Sequence, residues 1–76
     1  MKKIKIKLET IQDVRDFVNI MTAQTADIDL SSGRYVVDGK SIMGIFSLDL
    51  LKPIDMTIYT DDCEDLLAAV KRFIIE

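Results

Sequence analysis

Apolar and polar residues alternate one for one at the start of the chain. Ile4, Ile6 and Leu8 are interleaved with Lys3, Lys5 and Lys7. A period of two with one apolar side predicts a half-buried strand. The lysine row then forms its solvent side, which accounts for it without a phosphate ligand. From Thr10 the period changes. Val14, Phe17, Val18 and Met21 recur at i, i+3, i+4 and i+7, the spacing of one helical face, and Ile11 and Ile20 widen it. Thr10 is placed to cap this helix, with Asp13 in its first turn. The pattern runs out near Gln24.

Period two returns at Ile28 and Leu30, set between Asp27 and Asp29. Ser31-Ser32-Gly33 is a turn signal, and Arg34-Tyr35-Val36-Val37 reads as the return strand of an antiparallel hairpin ended by Asp38-Gly39. Outward-facing strand carboxylates account for Asp27, Asp29 and Asp38, whose spacing is not that of a metal loop. No metal site is expected.

A second helix is expected over Ile42–Leu48. Ser41 precedes the apolar run and reads as its N-cap, accepting from the N–H of Met43 or Gly44. Pro53 disfavours helix at Lys52. Gly44 inside a helix costs about 1 kcal/mol against alanine, which predicts a close approach by another backbone. Ile54, Met56 and Ile58 then alternate with Asp55, Thr57 and Tyr59 as a fourth strand. Thr60 to Glu64 opens the last helix, with Asp61 and Glu64 spaced as a capping-box pair. Its apolar face is Cys63, Leu66, Leu67, Val70 and Phe73 or Ile74, and Lys71 and Arg72 lie near its C-terminal end, where cations suit the helix dipole. Cys63 on that face reads as core, because a free cysteine behaves as a small hydrophobe and no histidine exists to activate it.

The element order is therefore β-α-β-β-α-β-α in a single domain, residues 1–76. Four strands with one apolar face each, covered by two long amphipathic helices, make an α+β open-faced sandwich. The four-stranded sheet is antiparallel and the helices lie on one of its faces. A ferredoxin-like fold fits less well, because its second helix should be long. With 49% apolar residues the chain can build a core. A net charge of -3 gives no draw to nucleic acid or to an anionic membrane. RNA binding on the sheet would need more exposed aromatics than Tyr35 and Tyr59. The lysine-rich start lacks the apolar core of a signal peptide, and no apolar run approaches the roughly 20 residues of a membrane span. One cysteine excludes an internal disulfide and suits a reducing cytoplasm, the expected location.

Lys40-Ser41-Ile42-Met43-Gly44 resembles the regulatory-serine segment of the HPr family, the small phosphocarriers of the bacterial sugar phosphotransferase system. Ala26-Asp27, Gly33, Thr57-Ile58 and Asp65-Leu66-Leu67-Ala68 are similar to the family as well. The likeness covers most of the chain and is strongest from Ala26 to Tyr59. It implies an HPr-like fold with a short middle helix.

The family's other signature is a Gly-(Leu/Ile)-His-Ala-Arg-Pro-Ala segment at the start of the first helix, whose histidine takes phosphate. Here that stretch is Thr10-Ile11-Gln12-Asp13-Val14-Arg15-Asp16-Phe17, and the chain has no histidine. Gln12 stands at the histidine position and Val14 at that of the arginine, with Arg15 one place off. An amide is not nucleophilic enough to replace an imidazole, and Asp16 would repel an incoming phosphoryl group. The pattern resembles the catabolite-repression HPr homologues, which lack the active-site histidine and keep the regulatory serine.

The resemblance implies a regulatory interaction module rather than an enzyme, with no cofactor. Phosphorylation is expected on Ser41, at a helix N-terminus where free N–H groups favour an anion. Partners would dock on Lys40, Ile42, Met43 and Phe46. They would be proteins: an HPr kinase-type enzyme, and a transcriptional regulator or a sugar-metabolism enzyme. Two alternatives stand beside this reading: a phosphocarrier of the sugar phosphotransferase system, and a diverged domain that binds proteins without phosphate.

Overall fold

The computed structural model describes residues 1–75; Glu76, the last residue of the expected 1–76 domain, lies outside them. Strands β1 (Lys2–Ile6), β2 (Ile28–Ser32), β3 (Tyr35–Asp38) and β4 (Ile54–Ile58) form one antiparallel sheet in the order β1-β4-β2-β3. Helices α1 (Ile11–Thr22), α2 (Ile42–Phe46) and α3 (Glu64–Ala69) alternate with them, and a 3-10 turn at Lys71–Phe73 follows α3.

The period-two runs explain the layering. Ile6, Ile28, Leu30, Ile54, Met56 and Ile58 point to one side and are buried. Lys3, Lys5 and Asp55 point to the other and are exposed. Register keeps these sets in step, pairing Ile4 with Met56 and Lys5 with Asp55. The apolar side is closed by Val14, Phe17 and Met21 of α1, Ile45 of α2, and Leu66, Val70 and Phe73 near the C-terminus. No polar or charged side chain is buried among the described residues. Cys63 is a buried free cysteine in this core.

The first helix begins as a full capping box. Thr10 Oγ1 accepts from the Asp13 N–H at 3.0 Å, and the Asp13 carboxylate accepts from the N–H groups of Thr10 and Glu9. Four expectations need correction. First, Ile11 does not widen the apolar face but is exposed, as the first residue of α1. Second, α2 stops at Phe46 rather than Leu48; Ser47 is its C-cap, and its hydroxyl turns back to the Gly44 carbonyl. Third, Asp61 caps nothing: its carboxylate pairs with the Met1 ammonium at 2.6 Å, and the N-cap of α3 is Cys63, without a side-chain bond.

Fourth, the last helix is not long. It ends at Ala69, because the chain beyond it is claimed by the sheet. Lys7 N–H donates to the Phe73 carbonyl at 2.8 Å, Ile75 N–H donates to the Lys5 carbonyl at 2.9 Å, and Ile6 bridges Ile74. Extended backbone and continued helix cannot coexist there, so a 3-10 turn makes the change.

Candidate functional site

The five residues of α2 carry most of the expected contact surface. Ser41 is extended at φ -99° and ψ 105°, and its Oγ accepts from the Gly44 N–H at 3.1 Å. The first turn contains no acidic residue. Ser41 N–H in turn donates to the Asp38 carbonyl at 3.0 Å, which ties the cap to the end of β3.

Gly44 is explained by space, though not by a neighbouring backbone. A Cβ there would lie 3.1 Å from the Val37 Cβ and 3.2 Å from the Ser41 Oγ. Both are tight contacts with side-chain atoms, one on β3 and one the capping oxygen itself. The glycine lets α2 sit against β3 and leaves the cap undisturbed.

The remaining residues of this segment divide by position on a short helix. Ile45 is fully buried and Ile42 is half-buried against the core. Met43 is 76% exposed and Phe46 is 40% exposed. These two, with the exposed Leu51 of the following loop, are large apolar side chains left in water. Lys40 is engaged by the chain itself. Its Nζ donates to the Gln24 carbonyl at 2.9 Å, just past the end of α1, where a cation meets unsatisfied carbonyls.

At the start of α1, Gln12 is exposed, and its Nε2 donates to Asp16 Oδ1 at 2.8 Å. The other Asp16 oxygen accepts from Arg72 at 2.7 Å. The Arg72 guanidinium first, and then the Gln12 amide, hold the Asp16 carboxyl below the usual carboxylate range. Arg72 also lies over the Phe73 ring, 4.4 Å from its centroid. The local sequence held no sign of the Arg72 contact, because its partner is 56 residues away. The arrangement has a clear chemical consequence: the Arg72 guanidinium beside this corner of α1 is already paired with a carboxylate.

A third cluster, at the far end of the sheet, was not expected. Tyr59 OH donates to Asp29 Oδ2 at 2.8 Å, and that carboxylate raises the phenol above its ordinary pKa. Asp27, Asp38 and Lys40 line the same shallow cleft. No group of three or more ligating side chains among the described residues is arranged to hold a metal ion. No helix among them is long and apolar enough to cross a membrane.

No protein-family profile matches the chain, and no curated protein sequence matches it significantly. Solved structures do. The crystal structure of HPr-C-His from Thermoanaerobacter tengcongensis superposes with a TM-score of 0.79 at 24% identity, over 95% of this chain and 89% of that one. A phosphocarrier protein HPr from Bacillus anthracis str. Ames superposes with a TM-score of 0.72, also at 24% identity, over 96% of this chain and 95% of that one. The fold of this chain is therefore that of the HPr phosphocarrier proteins.

Proposed function

We propose that this chain is an HPr-like regulatory module that binds other proteins and carries no phosphate on the first helix. The observation that carries the reading is the state of the Gln12 corner. The chain has no histidine, and Gln12 is bonded to a carboxylate that also holds Arg72. Nothing there is both nucleophilic and free to receive a phosphoryl group. A phosphate arriving beside Asp16 would also have to displace it from the arginine, against like charge.

The contact surface is α2. Met43 and Phe46 stand in water beside the Ser41 cap, and apolar side chains held open in this way mark docking sites. Ser41 is the proposed phosphorylation site. A phosphate on its oxygen would add about two negative charges next to the N–H groups of the first turn, and no acid on that turn opposes it. The half-buried hydroxyl accepts from Gly44 through one lone pair, which leaves its second lone pair and its proton for the transfer. The readers of the modified surface are a transcriptional regulator or a sugar-metabolism enzyme. The module works without a cofactor, in the bacterial cytoplasm.

The test is incubation with an HPr-type serine kinase and ATP, followed by mass spectrometry and a peptide map. One added phosphate on Ser41, absent from Ser41→Ala, is the expected result. A parallel incubation with enzyme I and labelled phosphoenolpyruvate should leave the chain unlabelled. An acid-labile phosphoprotein in that arm would make the chain a phosphocarrier after all. An unchanged mass in both arms would leave the same surface as a phosphate-independent binding module.

A further inference from the structure

The sheet order leaves β1 and β3 as its edges. One end of the β1 edge is covered by the C-terminal segment through its bonds to Lys5 and Lys7, and the rest carries Lys2 and Lys3, charges that guard a free edge. The β3 edge has no strand beside it among the described residues.

Hydrogen-bond parity shows what that edge offers. Gly39 N–H donates to the Ile28 carbonyl at 2.8 Å, across the β2–β3 ladder. In an antiparallel ladder the bonded residues alternate. Val37 and Tyr35 therefore share the bonded parity of Gly39 and face β2, while Val36 and Asp38 turn their backbone groups outward. The Asp38 carbonyl is taken by Ser41 N–H. The Val36 N–H and carbonyl and the Asp38 N–H remain open. The side chains on this edge are apolar and bare, Tyr35 at 69% and Val36 at 64% exposure. No lysine, proline or bulge interrupts Tyr35–Asp38, and the guards this edge does carry are its four-residue length and the charge of Asp38.

The flanking charges select an occupant. Asp38 stands directly opposite Asp29 in a non-bonded pair, where like charges are close and destabilising. Arg34 has no ion-pair partner among the described residues. The segment Arg34 to Asp38, the last turn residue followed by strand β3, is self-complementary in side-chain charge when turned antiparallel about Val36.

We propose that β3 pairs with β3 of a second copy, antiparallel and centred on Val36, with Arg34 of each chain opposite Asp38 of the other. Val36 and its mate exchange two reciprocal N–H···O=C bonds, and the ion pairs of the flanking Arg34 and Asp38 side chains fix the register. Tyr35 covers Val37 of the second copy on the helix-bearing face. The neighbouring registers fail on charge. Centring on Val37 sets Arg34 against Lys40, and centring on Tyr35 sets it against valine. A strand of four residues buries far less than the roughly 1,200 Å² of a stable interface. The dimer is accordingly weak and forms at millimolar chain concentration.

The experiment is dilution of labelled protein from millimolar to micromolar concentration, read by backbone amide shifts and by sedimentation. Concentration-dependent shifts should centre on Val36 and Asp38 and accompany a rise in mass. Arg34→Asp and Asp38→Arg should each be monomeric alone, and an equimolar mixture should associate, because unlike chains restore both ion pairs. Asp38 also accepts from Lys40 N–H at 2.8 Å, so its variant can lose the turn. Val36→Pro therefore provides a second arm. It removes only an outward N–H and should stay folded and monomeric. A wild-type chain that remains monomeric throughout, or a folded Val36→Pro chain that associates like wild type, would overturn the proposal. So would a mixture of the two folded charge variants that does not associate.

Discussion

Truncating Phe73 to alanine tests the packing and the Gln12 corner together. The ring is 3% exposed and meets Phe17 edge-on, with centroids 5.8 Å apart and planes at 78°. Replacing a buried phenylalanine with alanine costs about 3–5 kcal/mol, and an aromatic pair of this geometry adds about 0.5–1.5 kcal/mol beyond area. The upper part of the first range is expected, because Phe17 is fully buried under α1 and has little room to collapse into the void. At about 0.05–0.15 kcal/mol per residue, a 76-residue domain has about 4–11 kcal/mol to lose. A small domain shifts its Tm by about 4–8 °C per kcal/mol, so a loss of about 4 kcal/mol or more should lower the melting point by at least about 16 °C, if the variant folds at all. Thermal and urea unfolding followed by circular dichroism give the number. The ring is also the perch on which Arg72 rests, so in any folded fraction the Asp16 carboxyl should titrate closer to an ordinary carboxylate. A melting curve displaced by less than about 5 °C would show that the Phe17–Phe73 contact does not hold α1 to the segment after α3.

Other outcomes follow from single contacts. Asp16 has a lowered pKa in the folded state, so its contribution is present above the unfolded value of about 3.9 and is lost as pH falls through the folded one. Carboxyl NMR should therefore place its midpoint below that of Asp16 in an unfolded peptide, and Arg72→Ala should move it back up. Ser41→Ala should lower stability by about 1 kcal/mol, measured by urea titration, while Ser41→Asp should keep the fold, since aspartate also caps. Gly44→Ala should fail to deliver the roughly 1 kcal/mol that helix propensity promises, because the new methyl crowds Val37 and the Ser41 oxygen; a clear gain in the urea midpoint would contradict this. Gln12→His alone should not accept phosphate from enzyme I, because Asp16 still occupies Arg72; efficient labelling of that variant would refute the assignment.

How much was legible before the fold was in view differs by element. Strands β1, β2 and β4 and helix α1 follow from period, because burial on one face dictates which side chains can be apolar, whereas β3, with Tyr35 and Val36 both exposed, was read from the turn before it. The last helix did not, since Leu66, Leu67, Val70 and Phe73 keep helical spacing right through the point where the helix stops. The competing claim on Phe73 and Ile75 comes from Lys5 and Lys7 at the other end of the chain, and no local pattern records it. The same distance hid Arg72 as a partner of Asp16. Asp61 had the spacing of a cap, yet its carboxylate found the Met1 ammonium instead. At the candidate site, the Ser41 cap was readable from a hydroxyl before an apolar run. The reason for Gly44 required the position of Val37, and the bond from Lys40 to the Gln24 carbonyl required the end of α1.

The place of β4 in the sheet governs the order in which the molecule can assemble. It is the last strand to be synthesised, yet it lies between β1 and β2 and bonds to both. The hairpin of β2 and β3 closes across a two-residue turn and can form early, at microsecond speed. The first strand has no such option, since Lys2 waits for Ile58. Until β4 leaves the ribosome, the apolar sides of Ile4 and Ile6 and of Ile28 and Leu30 have no strand to join them. Such long-range closure is slow, because loop entropy must be overcome before any contact repays it. A nascent chain of this protein therefore holds two separate sticky pieces until β4 emerges. Chaperone contact and misfolding are expected in that interval, and the arrival of a single central strand ends it.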